Sequence, residues 1–166
     1  EYTGALRILK VILSYDYLWM NLRVKGGAYG CMSGFKRNGE SYLVSYRDPH
    51  LKRTLDVYKG IPDYIRNFQA DEREMTKYII GTISDVPRTP QMKGSVSKTA
   101  YFCGVTEEML QKERDQILNA SAEDIHALAE IIEAVLAADQ ICVVGSESKV
   151  AEASDVLMEV KPLINC

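Results

Sequence analysis

The 166-residue chain has no long block of one charge sign: 20 Lys and Arg stand against 23 Asp and Glu, for a formal net charge of −3. Nucleic acids and anionic membranes attract proteins through dense positive patches, so both are read as excluded partners. A charge-free run of bilayer length is also missing. The longest hydrophobic stretch, ALRILKVILSYDYLWMNL, carries Arg7, Lys10 and Asp16 and therefore reads as a buried helix. The opening EYTGA has neither a basic leader nor a small-residue cleavage site, so no targeting signal is read there. Only four cysteines occur (Cys31, Cys103, Cys142 and Cys166), with no CxxC pair. Such spacing suits reduced thiols in a cytoplasm, acting as core filler and tail, rather than a disulfide framework.

Several catalytic signatures are missing too. Neither HExxH nor HxxEH occurs, and GxSxG is absent. His126 and Glu130 stand four apart, the spacing of two ligands on one helical face, but no third ligand is near and the only other histidine is His50. Both histidines read as surface or half-buried side chains. No cysteine is tied by spacing to a histidine base. GFKRNGES, residues 34–41, has the two-glycine spacing of a phosphate loop, yet Glu40 stands where the neutralising lysine belongs, and the segment leads from strand to strand. It reads as a hairpin turn.

What is present is a well-punctuated pattern of helices around one hairpin. Leu6, Leu9, Ile12, Leu13 and Trp19 fall near helical spacing, widened by Ala5, Ile8 and Val11 into a helix covered on most sides that ends at the glycines. Residues 28–46 alternate like strands around Asn38-Gly39, whose positive φ angles suit a tight turn, with Tyr42, Val44 and Tyr46 on one face. Asp48-Pro49 starts a helix whose stripe runs from Leu51 to Phe68, kinked or split near Gly60 and Pro62. Asp71 with Glu74 caps the next helix, and residues 84–94, with two prolines, form a loop. Helices follow at 95–102 (stopped by Gly104), 107–119 (capped by Thr106) and 122–137 (capped by Ser121 with Asp124). Then come a buried strand, QICVVGS, and a last helix from Ser148 into VLMEVKP. The fold class is α+β: a small antiparallel sheet packed against a layer of helices in one domain, 1–166, which a strand just before residue 1 would complete.

One stretch remains unexplained by packing alone. In RVKGGAYG, residues 23–30, Arg23 and Lys25 suit the last carbonyls of a helix, Gly26 and Gly27 suit left-handed caps, and Tyr29 suits packing on the sheet. The same residues also suit ligand binding. Glycines let another backbone come close, while a guanidinium and a phenol aimed together donate to a carbonyl oxygen.

LSYDYLWMNLRVKGGAYG, SYRDPHLKRTLDVYKGIPDYIRNF, TKYIIGTISDV, GVTEEMLQKERDQIL and MEVKP, in that order, resemble the C-terminal domain of the presequence-protease branch of the pitrilysin and insulin-degrading-enzyme family of zinc metallopeptidases. The resemblance implies the fourth, non-zinc domain of a peptidase whose two halves close on short, unstructured peptides. The zinc would be bound by the HxxEH motif of the first domain, with no cofactor in this chain. The partners implied are the N-terminal catalytic half of the same polypeptide and a peptide substrate. By motif match, Arg23 and Tyr29 take the places of the pair that the C-terminal half projects toward the peptide main chain at the zinc. Next to them Gly26, Gly27, Ala28 and Gly30 would offer backbone to an extended peptide. Arg47 and Asp48 of SYRDP are left structural, Asp48 as a helix cap. Alone, the chain is expected not to hydrolyse peptides. The alternative is a scaffold domain of the same fold, used for assembly and needing neither Arg23 nor Tyr29.

Overall fold

The computed structural model describes residues 2–84 and 101–162. The N-terminal helix is the spine of the core. It begins as α1, Ala5–Ile12, and continues through two π-helical stretches, Leu13–Tyr17 and Trp19–Val24. Ile8, Leu9, Ile12, Leu13, Leu18 and Leu22 are completely or almost completely buried along it. The wider winding changes which residues face inward. Leu18 and Leu22 hold the inner positions, and Trp19, expected on the apolar stripe, stands 40% exposed.

Two strands follow, β1 (Gly30–Phe35) and β2 (Ser41–Tyr46), antiparallel and in register from Gly30 opposite Tyr46 to Phe35 opposite Ser41. Their turn uses one positive φ rather than two. Gly39 has φ 89°, its N–H donates to the Lys36 carbonyl at 3.0 Å, and the Lys36 N–H donates to the Glu40 carbonyl at 2.8 Å. That is a type I turn closed by a left-handed glycine. Glu40 forms an ion pair with Lys36, which leaves the phosphate-loop reading without a site.

The helices α2 (Leu51–Lys59) and α3 (Ile61–Arg66) are separate, in line with the Gly60 and Pro62 signals. Tyr17 explains the break. Its hydroxyl donates to the Val57 carbonyl at 2.9 Å and lies only 2.5 Å from where a Cβ on residue 60 would stand. Helix α4 (Glu72–Ser84) opens with the expected reciprocal cap, Glu74 N–H to Asp71 at 2.8 Å and Asp71 N–H to Glu74 at 3.1 Å. Helix α5 is Glu107–Leu118, with Thr106 accepting from the Met109 N–H. Apart from Ser84, which is the last residue of α4, the loop read at 84–94 and most of the helix read at 95–102 lie outside the described residues, but Gly104, at φ 68°, stands where that helix was expected to stop.

The helix expected over 122–137 is two, α6 (Ala122–His126) and α7 (Ala129–Ala137), with the Ser121 and Asp124 capping box in place. His126 meets the Phe68 carbonyl through Nε2 at 2.6 Å while Glu130 is exposed beyond the break, so the two do not form a ligand pair. Among the described residues, no group of three or more His, Cys, Asp or Glu is placed to hold a metal.

Three expectations fail toward the C-terminus and at the thiols. QICVVGS is not a buried strand: residues 140–145 are mostly exposed and make no backbone hydrogen bond among the described residues. An apolar run becomes a strand only where an edge supplies partners, and among the described residues none reaches this one. The last helix is short, α8 (Glu147–Ala151) followed by a 3-10 turn at Ser154–Val156. Ala153 is buried but non-helical (φ −121°), and Met158 finds nothing to pack on. Cys103 and Cys142 are exposed rather than core filler, while Cys31 is half-buried.

Asp48 anchors the approach to α2, though not as its cap. His50 is the N-cap residue, and Asp48 sits two positions earlier, accepting from the His50 N–H at 2.9 Å and from the Thr54 hydroxyl. Proline at 49 directs the chain before the helix rather than inside its first turn. Burial pushes the Asp48 carboxyl up, but the hydrogen bonds from Thr54, the His50 backbone and Ser45 outweigh it and hold it below its ordinary value. A carboxyl lowered by folding stabilises the native state above its unfolded pKa of about 3.9 and loses that contribution as the pH falls through the folded value. Asp48→Asn is therefore expected to cost about 1–2 kcal/mol at neutral pH. Melting curves should show the gap to the native protein closing below about pH 4.

Candidate functional site

The site forms where the N-terminal helix gives way to the hairpin. The helix ends in a wrap one residue wider than the usual glycine cap, with Gly27 N–H donating to the Arg23 carbonyl and Ala28 N–H to the Leu22 carbonyl, both at 3.0 Å. Gly27 takes φ 78°. Gly26 is required by contact instead, since a Cβ there would lie 2.4 Å from the Leu22 carbonyl oxygen. This cap turns the chain so that Arg23, on the last helical turn, and Tyr29, just before β1, come together.

Their contacts are aromatic and cationic. The Arg23 guanidinium carbon lies 4.2 Å from the centre of the Trp19 ring and 5.8 Å from that of Tyr29. On the hairpin, Tyr29 meets Tyr46 edge to face at 5.6 Å, and the Arg47 guanidinium lies 5.3 Å from the Tyr29 ring. Arg47 takes a left-handed backbone, φ 48°, and its carbonyl accepts the Tyr29 N–H at 3.3 Å. The result is a surface row, Trp19, Arg23, Tyr29, then Arg47 and Tyr46. Tyr29 is 56% exposed. Among the described residues neither arginine side chain has a carboxylate partner, and the Tyr29 hydroxyl has no hydrogen bond.

Arginines without anionic partners beside a free phenol keep their donors available. The glycine-rich backbone has less to offer. The N–H groups of Gly27, Ala28 and Tyr29 already bond within the chain, and Gly26, Ala28 and Gly30 are buried. Gly30 serves the hairpin instead, since a Cβ there would stand 2.4 Å from the Tyr46 ring and its absence lets Tyr46 lie across β1. Gly34 does the same for Tyr42. Met32 and Val44, paired between them, complete an apolar outer face on the hairpin.

Trp19, Tyr46 and Arg47 join the site without having been expected there. The four-residue spacing of Trp19 and Arg23 is a usable signal, because side chains four apart on a helix meet. Tyr46 and Arg47 reach the site through strand pairing, which spacing does not reveal. Below the site, the half-buried Cys31 thiol is pushed up by burial and partly offset by the Arg23 charge.

Residues 1–148 match the family described as "PreP C-terminal domain". The chain belongs to that family. Among its relatives, Protein HypA of Clostridium perfringens is 49% identical over 166 residues, 99% of this chain but 17% of that protein. Presequence protease 1, chloroplastic/mitochondrial, of Arabidopsis thaliana is 39% identical over 138 residues, 81% of this chain and 13% of that protein. The mitochondrial presequence protease of Aspergillus oryzae is 32% identical over 157 residues, 93% of this chain and 15% of that protein. The PreP C-terminal domain described here thus spans about a sixth of the length of these curated relatives. Among its described residues no helix is long and apolar enough to cross a membrane.

Proposed function

We propose that this domain is the substrate-binding C-terminal part of a zinc metalloendopeptidase that degrades short unstructured peptides, with Arg23 and Tyr29 binding the peptide main chain. The observation that carries the reading is Arg23, without an ion pair among the described residues, set against the exposed Tyr29. A peptide carbonyl accepts from both a guanidinium and a phenol, and recognising the main chain rather than side chains suits a peptidase with broad substrates. The described residues of this chain do not fit a zinc site, because His126 is engaged by Phe68 and His50 has no neighbouring ligand set. On this reading the metal belongs to the N-terminal half of the same polypeptide, and what this domain contributes is donors brought in as the halves close.

In the bound state Arg23 holds a carbonyl with two donors of fixed geometry while Trp19 supports the planar face of the guanidinium. Tyr29 places one O–H donor beside it, its ring held between Tyr46 and Arg47. Both donors gain strength if the carbonyl oxygen acquires negative charge during cleavage, which turns binding into rate enhancement. Tyr29→Phe in the full-length protein isolates the hydroxyl, since the ring contacts survive. Peptide-cleavage kinetics should show kcat/KM lower by roughly tenfold, the equivalent of one hydrogen bond. Unchanged kinetics would remove Tyr29 from the site and favour a scaffold role.

A further inference from the structure

We infer that Arg47 sets specificity by holding a carboxylate of the bound peptide, from an Asp or Glu side chain or from the peptide's own C-terminus, close to the carbonyl taken by Arg23 and Tyr29. The inference rests on the reading of that pair as a main-chain clamp and adds to it a preference among substrates.

The first observation is a strained backbone under a long side chain. Arg47 has φ 48°, and among the described residues the other non-glycine residue in the left-handed region is Asp139. A residue with a Cβ is destabilised there by about 1 kcal/mol, which glycine is not. The conformation is held from both sides: the Arg47 carbonyl accepts the Tyr29 N–H, and the Asp48 carboxylate accepts from the His50 N–H and the Thr54 hydroxyl. A turn that needed only its shape would be less strained with glycine. Arginine here instead sends a guanidinium over the Tyr29 ring, at 5.3 Å.

The second observation is positive charge that nothing answers. Arg23 lies 5.8 Å from the centre of the ring that Arg47 approaches to 5.3 Å, so the two cations stand within about 11 Å of each other, near the screening length of dilute salt. Both are exposed, and among the described residues neither has an anionic partner. Asp48, adjacent in sequence, commits one oxygen to His50 and the other to Thr54. A third cation comes to the same helix end, since Arg53 of α2 donates to the Lys25 carbonyl at 2.6 Å. In a chain of net charge −3, this local excess favours an anionic ligand.

Peptide chemistry selects the anion. A main-chain carbonyl suffices for the clamp but has no net charge, so it leaves the two like charges unrelieved. The ionised acids of a peptide are Asp, Glu and the C-terminal carboxylate, and a carboxylate meets a guanidinium through two parallel hydrogen bonds. Along an extended peptide, rising about 3.3 Å per residue, that carboxylate falls within about three residues of the clamped carbonyl.

The test compares matched peptides on the full-length protein, with a neutral, amidated peptide as reference. In one arm Glu replaces Gln at successive positions; in the other the peptide is shortened to end at each position in a free carboxylate or an amide. Affinity is read by fluorescence anisotropy with chelator present, and kcat/KM with zinc present. At one position the carboxylate is expected to be favoured about tenfold in both readouts, the equivalent of one charge-assisted hydrogen bond, and the arm that shows it tells side chain from terminus. Arg47→Gln should bring this ratio to one, and Arg47→Glu should turn it against the carboxylate. The ratio is the readout because Arg47 also borders the Tyr29 ring. A ratio of one throughout in the native protein, or a preference that survives in Arg47→Gln, overturns the inference, and slower cleavage of the neutral peptide by Tyr29→Phe then shows the clamp standing without it. Neutral-peptide rates that are unchanged in Tyr29→Phe overturn the clamp and this inference with it.

Discussion

Arg23→Ala in the full-length protein is expected, if the residue has the proposed role, to lower kcat on the order of a hundredfold, the loss typical of a donor aimed at a carbonyl that becomes negative in the transition state. The size follows from what the guanidinium does and does not touch. It has no carboxylate partner among the described residues, so its removal strands no buried anion, and its contacts to Trp19 and Tyr29 lie on the surface. Loss of those contacts costs no more than about 1 kcal/mol of stability. Activity and stability should therefore separate: a large fall in turnover with a nearly unchanged melting temperature. Arg23→Lys sharpens the test, because a lysine keeps the charge but not the planar pair of donors. If charge alone matters, lysine rescues most of the rate; if the fork matters, it rescues little. Turnover that is unchanged in Arg23→Ala would defeat the proposed role and leave the domain a scaffold.

The largest expected effect on stability lies elsewhere. Glu113 is buried on α5 and binds two arginines from distant parts of the chain, Arg7 of α1 through Oε1 at 2.8 Å and Arg37 of the hairpin turn through Oε2. Glu113→Ala removes the anion between two cations that are themselves largely covered, leaving a repulsive pair with nothing between them. Breaking a buried ion pair from one side costs about 3–5 kcal/mol. Because Arg7 and Arg37 keep about a third and a quarter of their side-chain surface in water, the lower end of that range applies. Glu113→Gln, which keeps the shape and one acceptor, should cost less than alanine. Amide exchange of α1 and α5 in the full-length protein reads both values locally, so the rest of the polypeptide does not blur the measurement. Equal exchange in all three proteins would show the triad to be dispensable.

Much of this architecture is legible because its signals are local. The Asp71 and Glu74 box, the Ser121 and Asp124 box, Thr106 and the glycine at 39 each act within four residues, and each occurs where its chemistry demands. The RVKGGAYG stretch is legible for the same reason, and Arg23 and Tyr29 do come together as its pattern suggests. What stays hidden depends on partners far away in the chain. Trp19 leaves the core because the helix winds wider after Ile12, a change that no 3.6-residue count anticipates. Arg47, read as structural, joins the site because Tyr29 N–H bonds to its carbonyl across the hairpin. Residues 140–145 have the composition of a strand, but composition cannot say whether a neighbouring edge is present.

The Tyr17 hydroxyl pins the spine helix to the break at Gly60, six residues before Arg23. From that fixed point the direction of the guanidinium is set by counting residues along the winding. Inserting or deleting one residue between them would swing Arg23 by nearly a quarter turn around the axis of this wider helix, away from Tyr29, without harming the helix itself. Over this short interval, then, the number of residues sets the direction of Arg23 more directly than the identity of those between.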